Sequence, residues 1–417
     1  MSKIKEIKAR EILASGGAPT LEVTVKLESG ATGEASVSYG ASAGSHEATV
    51  LLDGDEKRYG GKGMLKAVKN INEIIGIKLL DMEAGEQRGL DKLMIDLDGT
   101  ENKSNLGGNA ILGVSMAVAR AQAAEEGLPL YKYLQKIYGL VPINTLPKPM
   151  VVMIEGGKHA AESTDFQEYL VSAMGKRSAA ENVRLEMEIY EALKKILKRE
   201  GKSTNVGNEG AFAPSGLTSN EKPIEYLVEA IKNAGYIPGI DAGISIDAAA
   251  SEFFTEGKYN LNIEGKKLSG EELIEYYLPW LLKYPMVSFE DMLAEDDWEN
   301  WVTLTSKMGN MPNIADDLTA TNMKRWQRAI EMKAANAILI KLNQAGSVSE
   351  TIDCCIEAKE NSMWTVPSHR GGGESNDTFM VDLAVAVGSE YIKVGPTRGE
   401  RVCKYNRLMR IEEERED

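Results

Sequence analysis

Six residues able to carry charge or move protons close short apolar runs in the second half of the chain. They are Asp247 after GISI, Glu290 after MVSF, Asp316 after NIA, Lys341 after NAILI, His369 after TVPS and Lys393 after YI. From Glu290 onward the intervals are 26, 25, 28 and 24 residues. Asp247, Glu290 and Asp316 would repel one another strongly on a shared face unless a cation stood between them. An all-oxygen donor set on rigid strand ends suits magnesium, which keeps waters and takes further ligands from a substrate. Lys341 and Lys393 fall two units apart on the same inferred rim. A lysine acts as a base only when neutral, and a second cation nearby together with partial burial favours that form. Two more acids stand in DFQEYLV, where Glu168 follows Gln167, and in TNVGNEGAFAP, which places Glu209 in a glycine-rich loop. A loop glutamate facing a metal can serve as general acid where its surroundings retain its proton. Each residue alone has a plainer explanation, as a helix cap, an ion-pair partner or a solvated charge. Their joint spacing suits removal of a proton α to a carboxylate, a reaction that needs cations, a positioned base and a separate acid.

The elements that must position these residues follow from the same intervals. One strand, one helix and two loops fill about 25 residues, so the repeats read as strand–helix units with parallel strands, either a barrel or an open doubly wound sheet. In a barrel the strand ends share one mouth and the charged residues converge there. SVSETIDCCIEAKE supports an intervening helix, with Ser347 three residues before Glu350 as a capping box. The longer interval between Asp247 and Glu290 holds FFTEGKYNLNIEGKKLS, which reads as an inserted hairpin. The first third differs. Residues 20–40 alternate apolar and polar positions around Gly30 and Gly33 as an antiparallel strand pair would, and NAILGVSMAVARAQ reads as a buried helix. VPINTLPKP, residues 141–149, is the candidate linker between this α+β portion and the rest.

Composition narrows the partners. The 417 residues are 43% hydrophobic and 27% charged, which excludes a disordered chain. No apolar run is long enough to cross a bilayer, and MSKIKEIKAREIL lacks the unbroken apolar stretch of a signal peptide, so a cytoplasmic location is expected. A net charge of −15 opposes general attraction to nucleic acid or anionic lipid. Cys354, Cys355 and Cys403 offer neither a disulfide framework nor a zinc pattern and read as buried thiols.

A set of long motifs runs through the chain in order: GASAGSHEA, DGTENKSNLGGNAILGVSMAVA, GGKHA, DFQEY, TNVGNEGAFAP, IDAAASEF, FEDMLAEDDW, ADDLTATN, NAILIKLNQAGS, SHR and KYNRLMRIEEE. Through these the sequence resembles the enolase family over essentially its whole length. The resemblance implies a small N-terminal α+β domain, residues 1–140, and an eight-stranded α/β barrel of the TIM-like enolase type, residues 141–417, whose first turns are irregular. It implies two magnesium ions per site, a phosphorylated or phosphono carboxylic acid as substrate, and a homodimer or larger homo-oligomer. Carried over by motif, Asp247, Glu290 and Asp316 look like the ligands of the first ion and Ser42 like the residue reaching the second. Lys341 looks like the base and Glu209 like the acid that protonates the departing hydroxyl, with Glu168 beside it. His159, Gln167, His369 and Lys393 look like substrate or metal-shell contacts, and Arg370, followed by Gly371, like the phosphate's arginine.

The chain also departs from the family. SHRGGGES replaces SHRSGET and is one residue longer, while VGPTRGER is one residue shorter than its counterpart. Tyr39 stands for a serine, Ala43 for a threonine, Glu155 for an asparagine and Asn208 for an aspartate, and ASGGAPT has lost an arginine and an aspartate. Metal and proton-transfer residues are kept while those near the remote end of the substrate change. The pattern implies enolate chemistry with an altered phosphate pocket, Glu155 adding charge, and a triglycine able to bind phosphate through an amide nest. Three readings follow: interconversion of 2-phosphoglycerate and phosphoenolpyruvate, a lyase for a related phospho- or phosphonocarboxylate, and a non-catalytic scaffold. The intact Lys341, Glu209 and carboxylate triad weigh against the last.

Overall fold

A computed structural model describes residues 2–40, 46–160 and 162–416. The N-terminal sheet is an antiparallel meander of β1 (Ile4–Leu13), β2 (Pro19–Leu27) and β3 (Thr32–Ser36). The strand pair expected from residues 20–40 is therefore present, and β1 adds a third strand from the charged opening segment. Its alternation buries Ile4 and Ile7 while leaving charged neighbours outside, with a register shift between Ile4 and Glu6. The expected buried helix spans Gly108–Glu125 and lies on this sheet. Close approach depends on Gly33: a Cβ there would stand 2.2 Å from the Ala117 carbonyl and 2.3 Å from the Ala121 nitrogen.

Residues 140–147 form neither helix nor strand, and Lys148 and Pro149, part of the expected linker, already belong to the first barrel strand. The barrel begins with β4 (Lys148–Glu155), β5 (Glu168–Ala173) and β6 (Ala242–Asp247), in which β5 runs antiparallel to both neighbours. The insertion that follows is a three-stranded antiparallel sheet rather than a hairpin: β7 (Phe254–Thr255), β8 (Lys258–Leu261) and β9 (Lys266–Leu268). Parallel pairing then runs through β10 (Met286–Glu290), β11 (Asn313–Ala315), β12 (Ala337–Ile340) and β13 (Trp364–Pro367), and β14 (Tyr391–Val394) pairs with β4. The sheet is closed between β13 and β14 by a bridge of Ser368 with Lys393, in which the His369 N–H donates to the Lys393 carbonyl at 3.1 Å. The fold is a barrel and not an open sheet.

The strands are apolar almost throughout because both faces are covered. Met150, Val152, Leu170, Ile314, Leu339 and Val366 fill the interior, and the other face packs on the surrounding helices. The helix Val348–Glu360 is capped by Ser347, which accepts the Glu350 N–H at 3.2 Å, but its hydroxyl donates to the Glu350 carboxylate at 2.7 Å, so the reciprocal half of the expected box is missing. A complete capping box occurs instead at Ser269 and Glu272.

The N-terminal portion sits on the barrel through Arg120, whose two nitrogens donate to Asp377 at 2.7 and 2.8 Å, with the Ser36 N–H donating to the same carboxylate at 2.9 Å. Among the described residues no helix is long and apolar enough to cross a membrane. Because Gly33 faces helix backbone and not a movable side chain, Gly33→Ala should destabilise the protein by about 1–3 kcal/mol, seen as a lowered urea midpoint.

Candidate active site

Strand register decides what meets at the mouth of the barrel. Glu168, Asp247 and Glu290 are neighbours across β5, β6 and β10, at the end where β6 and β10 finish. Lys393, from β14 on the opposite wall, places its Nζ 2.8 Å from Glu168, 2.7 Å from Asp247 and 2.6 Å from Glu290. All four side chains are buried. Burial opposes the charge of Lys393, but Asp247, Glu168 and Glu290 prevail and raise its pKa well above that of an ordinary lysine. Lys341, directly after β12, is ion-paired with Asp316, which also accepts the Gln344 amide at 2.9 Å. Burial again favours the neutral lysine, and Arg370 and Lys393 add to that, yet Asp316 raises the Lys341 pKa. Burial and the second cation thus favour neutral Lys341 as expected, but Asp316, ion-paired with the ammonium, outweighs them.

The acids divide by their neighbours. Burial would raise Glu209, but His369, with Nε2 3.2 Å from Oε2, and His159 hold it well below the usual carboxylate range. His159 Nδ1 lies 3.1 Å from Glu168 and 3.6 Å from Glu209, and these acids overcome burial to push its pKa up to about 9. The two histidines favour the ionised form of Glu209, so its own proton is not what they retain. The carboxyl that burial and the charge of Glu209 push up to about 8 is Glu155, which is buried in full. Burial and Glu209 thus oppose the charge expected of Glu155.

Asp247, Glu168, Glu209, Asp316, Lys341, Lys393, His159, Gln167, His369, Arg370 and Gly371 all line one cavity of about 230 Å³. Glu290 lies beside it, under the ammonium of Lys393. Ser42, and with it Ala43, falls outside the described residues. Arg370 is buried and faces Glu47 at 3.3 Å. Sequence reasoning missed Glu47, Asp291 and Asp317, which also line the cavity. Asp291 accepts the N–H groups of Asp316 at 3.0 Å and Asp317 at 2.8 Å, and burial followed by Asp317 and Asp316 raises its pKa well above the ordinary value. The signal was present as acids directly behind the strand ends, in FEDM and ADDL.

The triglycine does not form the expected nest. None of Gly371, Gly372 and Gly373 adopts the left-handed conformation that such a nest alternates. The glycines instead make room. A Cβ on Gly371 would lie 2.5 Å from Glu209 Oε1 and 2.6 Å from His159, and one on Gly373 would lie 2.2–2.5 Å from three carbons of the Tyr39 ring. Tyr39 and Gly373 exchange two backbone hydrogen bonds, 3.0 and 2.9 Å, and Ser15 donates to the Gly372 carbonyl at 3.0 Å. The altered ASGGAPT, Tyr39 and SHRGGGES segments are therefore one interlocked structure. Asn208 is exposed, so its difference from aspartate acts at the surface.

Two groups of donors could hold a metal ion. His159, Glu168 and Glu209 form one group with ligand atoms within 4.8 Å of one another, and Asp291, Asp316 and Asp317 form another. Neither is the expected triad, because the ammoniums of Lys393 and Lys341 stand among its members. Glu290 Oε2 is nevertheless buried without a hydrogen-bond partner among the described residues, an acceptor that a cation would satisfy. An α/β barrel whose mouth gathers this many carboxylates around two lysines, under an N-terminal cap, has the makings of an enzyme site able to hold a metal. Residues 4–134 match the family model described as the enolase N-terminal domain, and residues 143–417 match the enolase C-terminal TIM barrel domain. The chain belongs to the enolase family.

Two measurements follow. Magnesium should raise the melting temperature of the wild type, by the equivalent of about 2.7 kcal/mol at roughly 100 times Kd, and Glu290→Gln should reduce that gain. The folded pKa of His159 is raised above its unfolded value near 6.5, so its ion pairs stabilise fully below that pH and lose this contribution as pH rises through about 9. The stability gap between wild type and His159→Gln should shrink across that window in urea titrations.

Proposed function

We propose that the protein is a magnesium-dependent hydro-lyase that removes the proton α to a carboxylate and then eliminates water, converting 2-phosphoglycerate into phosphoenolpyruvate. The observation that carries this reading is the opposition, across one small cavity, of Lys341 on the β12 side and the Glu209–Glu168–His159 group on the other. A base and an acid on facing walls suit an elimination in which proton and hydroxyl leave from different sides. Two magnesium ions, held at Asp247, Glu290 and Asp316 and near Ser42, would supply the positive charge that makes the α proton acidic.

Lys341 is the base in this scheme. The charge of Asp316 keeps its ammonium protonated. With that carboxylate engaged by a cation, burial, Arg370 and Lys393 all favour the neutral amine. Glu209 relays to the departing hydroxyl the proton that His159, 3.6 Å away and with its pKa raised against burial by Glu209 and Glu168, carries, so that at the end Lys341 holds the α proton and His159 is neutral. Glu168 holds His159 in place at 3.1 Å. Arg370 receives the phosphate by exchanging Glu47 for the substrate anion, with His369, Gln167, Lys393 and Gly371 shaping the remaining walls. A homodimer or larger homo-oligomer in the cytoplasm belongs to the same proposal.

The Tyr39–Gly373 contact favours a second reading, a related phospho- or phosphonocarboxylate as substrate, since it rebuilds the loop behind Arg370. An ultraviolet assay for phosphoenolpyruvate formation separates the two. Turnover of 2-phosphoglycerate that requires magnesium and falls by about 10²–10⁴-fold in Lys341→Ala supports the first. Absence of turnover by magnesium-binding protein excludes it and directs the assay to phosphonates.

A further inference from the structure

Residues 207–211 form the short loop that brings Glu209 to the cavity, and residues in which this chain departs from its family grip the loop from two sides. Glu155 closes β4, fully buried, and its Oε1 accepts the N–H of Glu209 at 3.0 Å and of Ala211 at 2.9 Å. Gly210 between them is left-handed, with φ of 91°, which lets both amides face one acceptor. The other oxygen of Glu155 lies against Gly207, where a Cβ would stand only 2.3 Å from it. From the opposite side Thr397 and Tyr190 donate to the Gly210 carbonyl at 2.9 and 2.8 Å, and Arg398 donates to the Gly207 carbonyl at 2.9 Å. Thr397 and Arg398 belong to the shortened VGPTRGER segment. Gly395 of that segment passes so near that a Cβ would lie 2.4 Å from the Glu209 carbonyl oxygen.

Glu209 and Ala211 are themselves buried. Without Glu155 their N–H groups would be donors out of reach of water, and the loop would have to turn to satisfy them. We propose that Glu155 is a positioning residue for Glu209: its carboxyl is the acceptor that folds residues 207–211 so that the Glu209 side chain meets His159 and His369. The proposal rests on the reading of Glu209 as part of the reacting site. It assigns Glu155 no contact with substrate; its effect passes through the loop.

The test compares Glu155→Gln, which keeps an acceptor oxygen at the same reach, with Glu155→Ala, which removes it, in the full chain. Amide hydrogen exchange is followed over residues 205–213, with β10, β11 and β12 as internal control, and kcat and KM are measured for 2-phosphoglycerate. Glu155→Ala is expected to speed exchange at Glu209 and Ala211 by at least about tenfold while the control strands keep wild-type protection. It is expected to lower kcat by about 10- to 100-fold with KM nearly unchanged, and Glu155→Gln is expected to retain protection and most of kcat. Wild-type exchange at 207–211 in Glu155→Ala, lost protection with unaltered kcat, or equal loss in Glu155→Gln would each overturn the assignment. Should Glu155→Ala not fold, Glu155→Gln decides alone, since loss of protection there removes the role of the acceptor. If the wild type leaves 2-phosphoglycerate untouched, the exchange comparison still decides the positioning of Glu209, and only the proposed reaction fails.

Discussion

The mouth of this barrel is a problem of concentrated negative charge, and the ammonium of Lys393 is the contact on which its solution rests. Three buried carboxylates from three successive strands lie within 2.8 Å of that one nitrogen. Ionised carboxylates at such spacing, out of water, are tolerable only with a cation among them. Lys393 comes from β14, the strand that also closes the barrel. The same residue that balances the charge therefore belongs to the seam, and the backbone bond from His369 to its carbonyl ties the next charged loop to it.

Around this centre the charges are sorted into two compartments. On one side Lys341 and Asp316 are joined, with Gln344 and Arg370 nearby. On the other side His159 stands against Glu168 and Glu209, and His369 against Glu209. Glu155 and Asp291, equally buried, instead hold backbone: one oxygen of Glu155 accepts two loop amides, and the two oxygens of Asp291 accept one amide each. Acids that hold loop backbone thus stand within a few residues of those that face the cavity, and burial with neighbouring carboxylates raises the pKa of both Glu155 and Asp291 although their amide hydrogen bonds favour the charged form.

Much of this was legible before any coordinates. Strand ends carrying Asp247, Glu290 and Lys341 could be read because a buried parallel strand is a short apolar run, and a charge at its end breaks the pattern sharply. The motifs then turned strand–helix repeats into a barrel with an N-terminal cap. What could not be read were properties that depend on neighbours distant in sequence. The charge state of Lys341 depends on Asp316, 25 residues away, and that of Glu209 on His369, more than a hundred residues away. Strand β1 hid in a segment whose alternation resembled a charged opening stretch. The triglycine suggested an anion nest because composition gives conformational freedom, not the conformation used.

The Tyr39 ring over Gly373 carries a consequence for how such a pocket changes over time. The ring fills the space in which any side chain at 373 would begin, so the two positions are not free to drift independently. A lineage that starts with a small residue at 39 must first empty position 373, and only then can an aromatic ring arrive. Once the ring is in place, a side chain at 373 requires the ring to move or 39 to shrink again. The two positions are therefore coupled, and the loop behind Arg370 is held by that packing as well as by the hydrogen bonds between Tyr39 and Gly373.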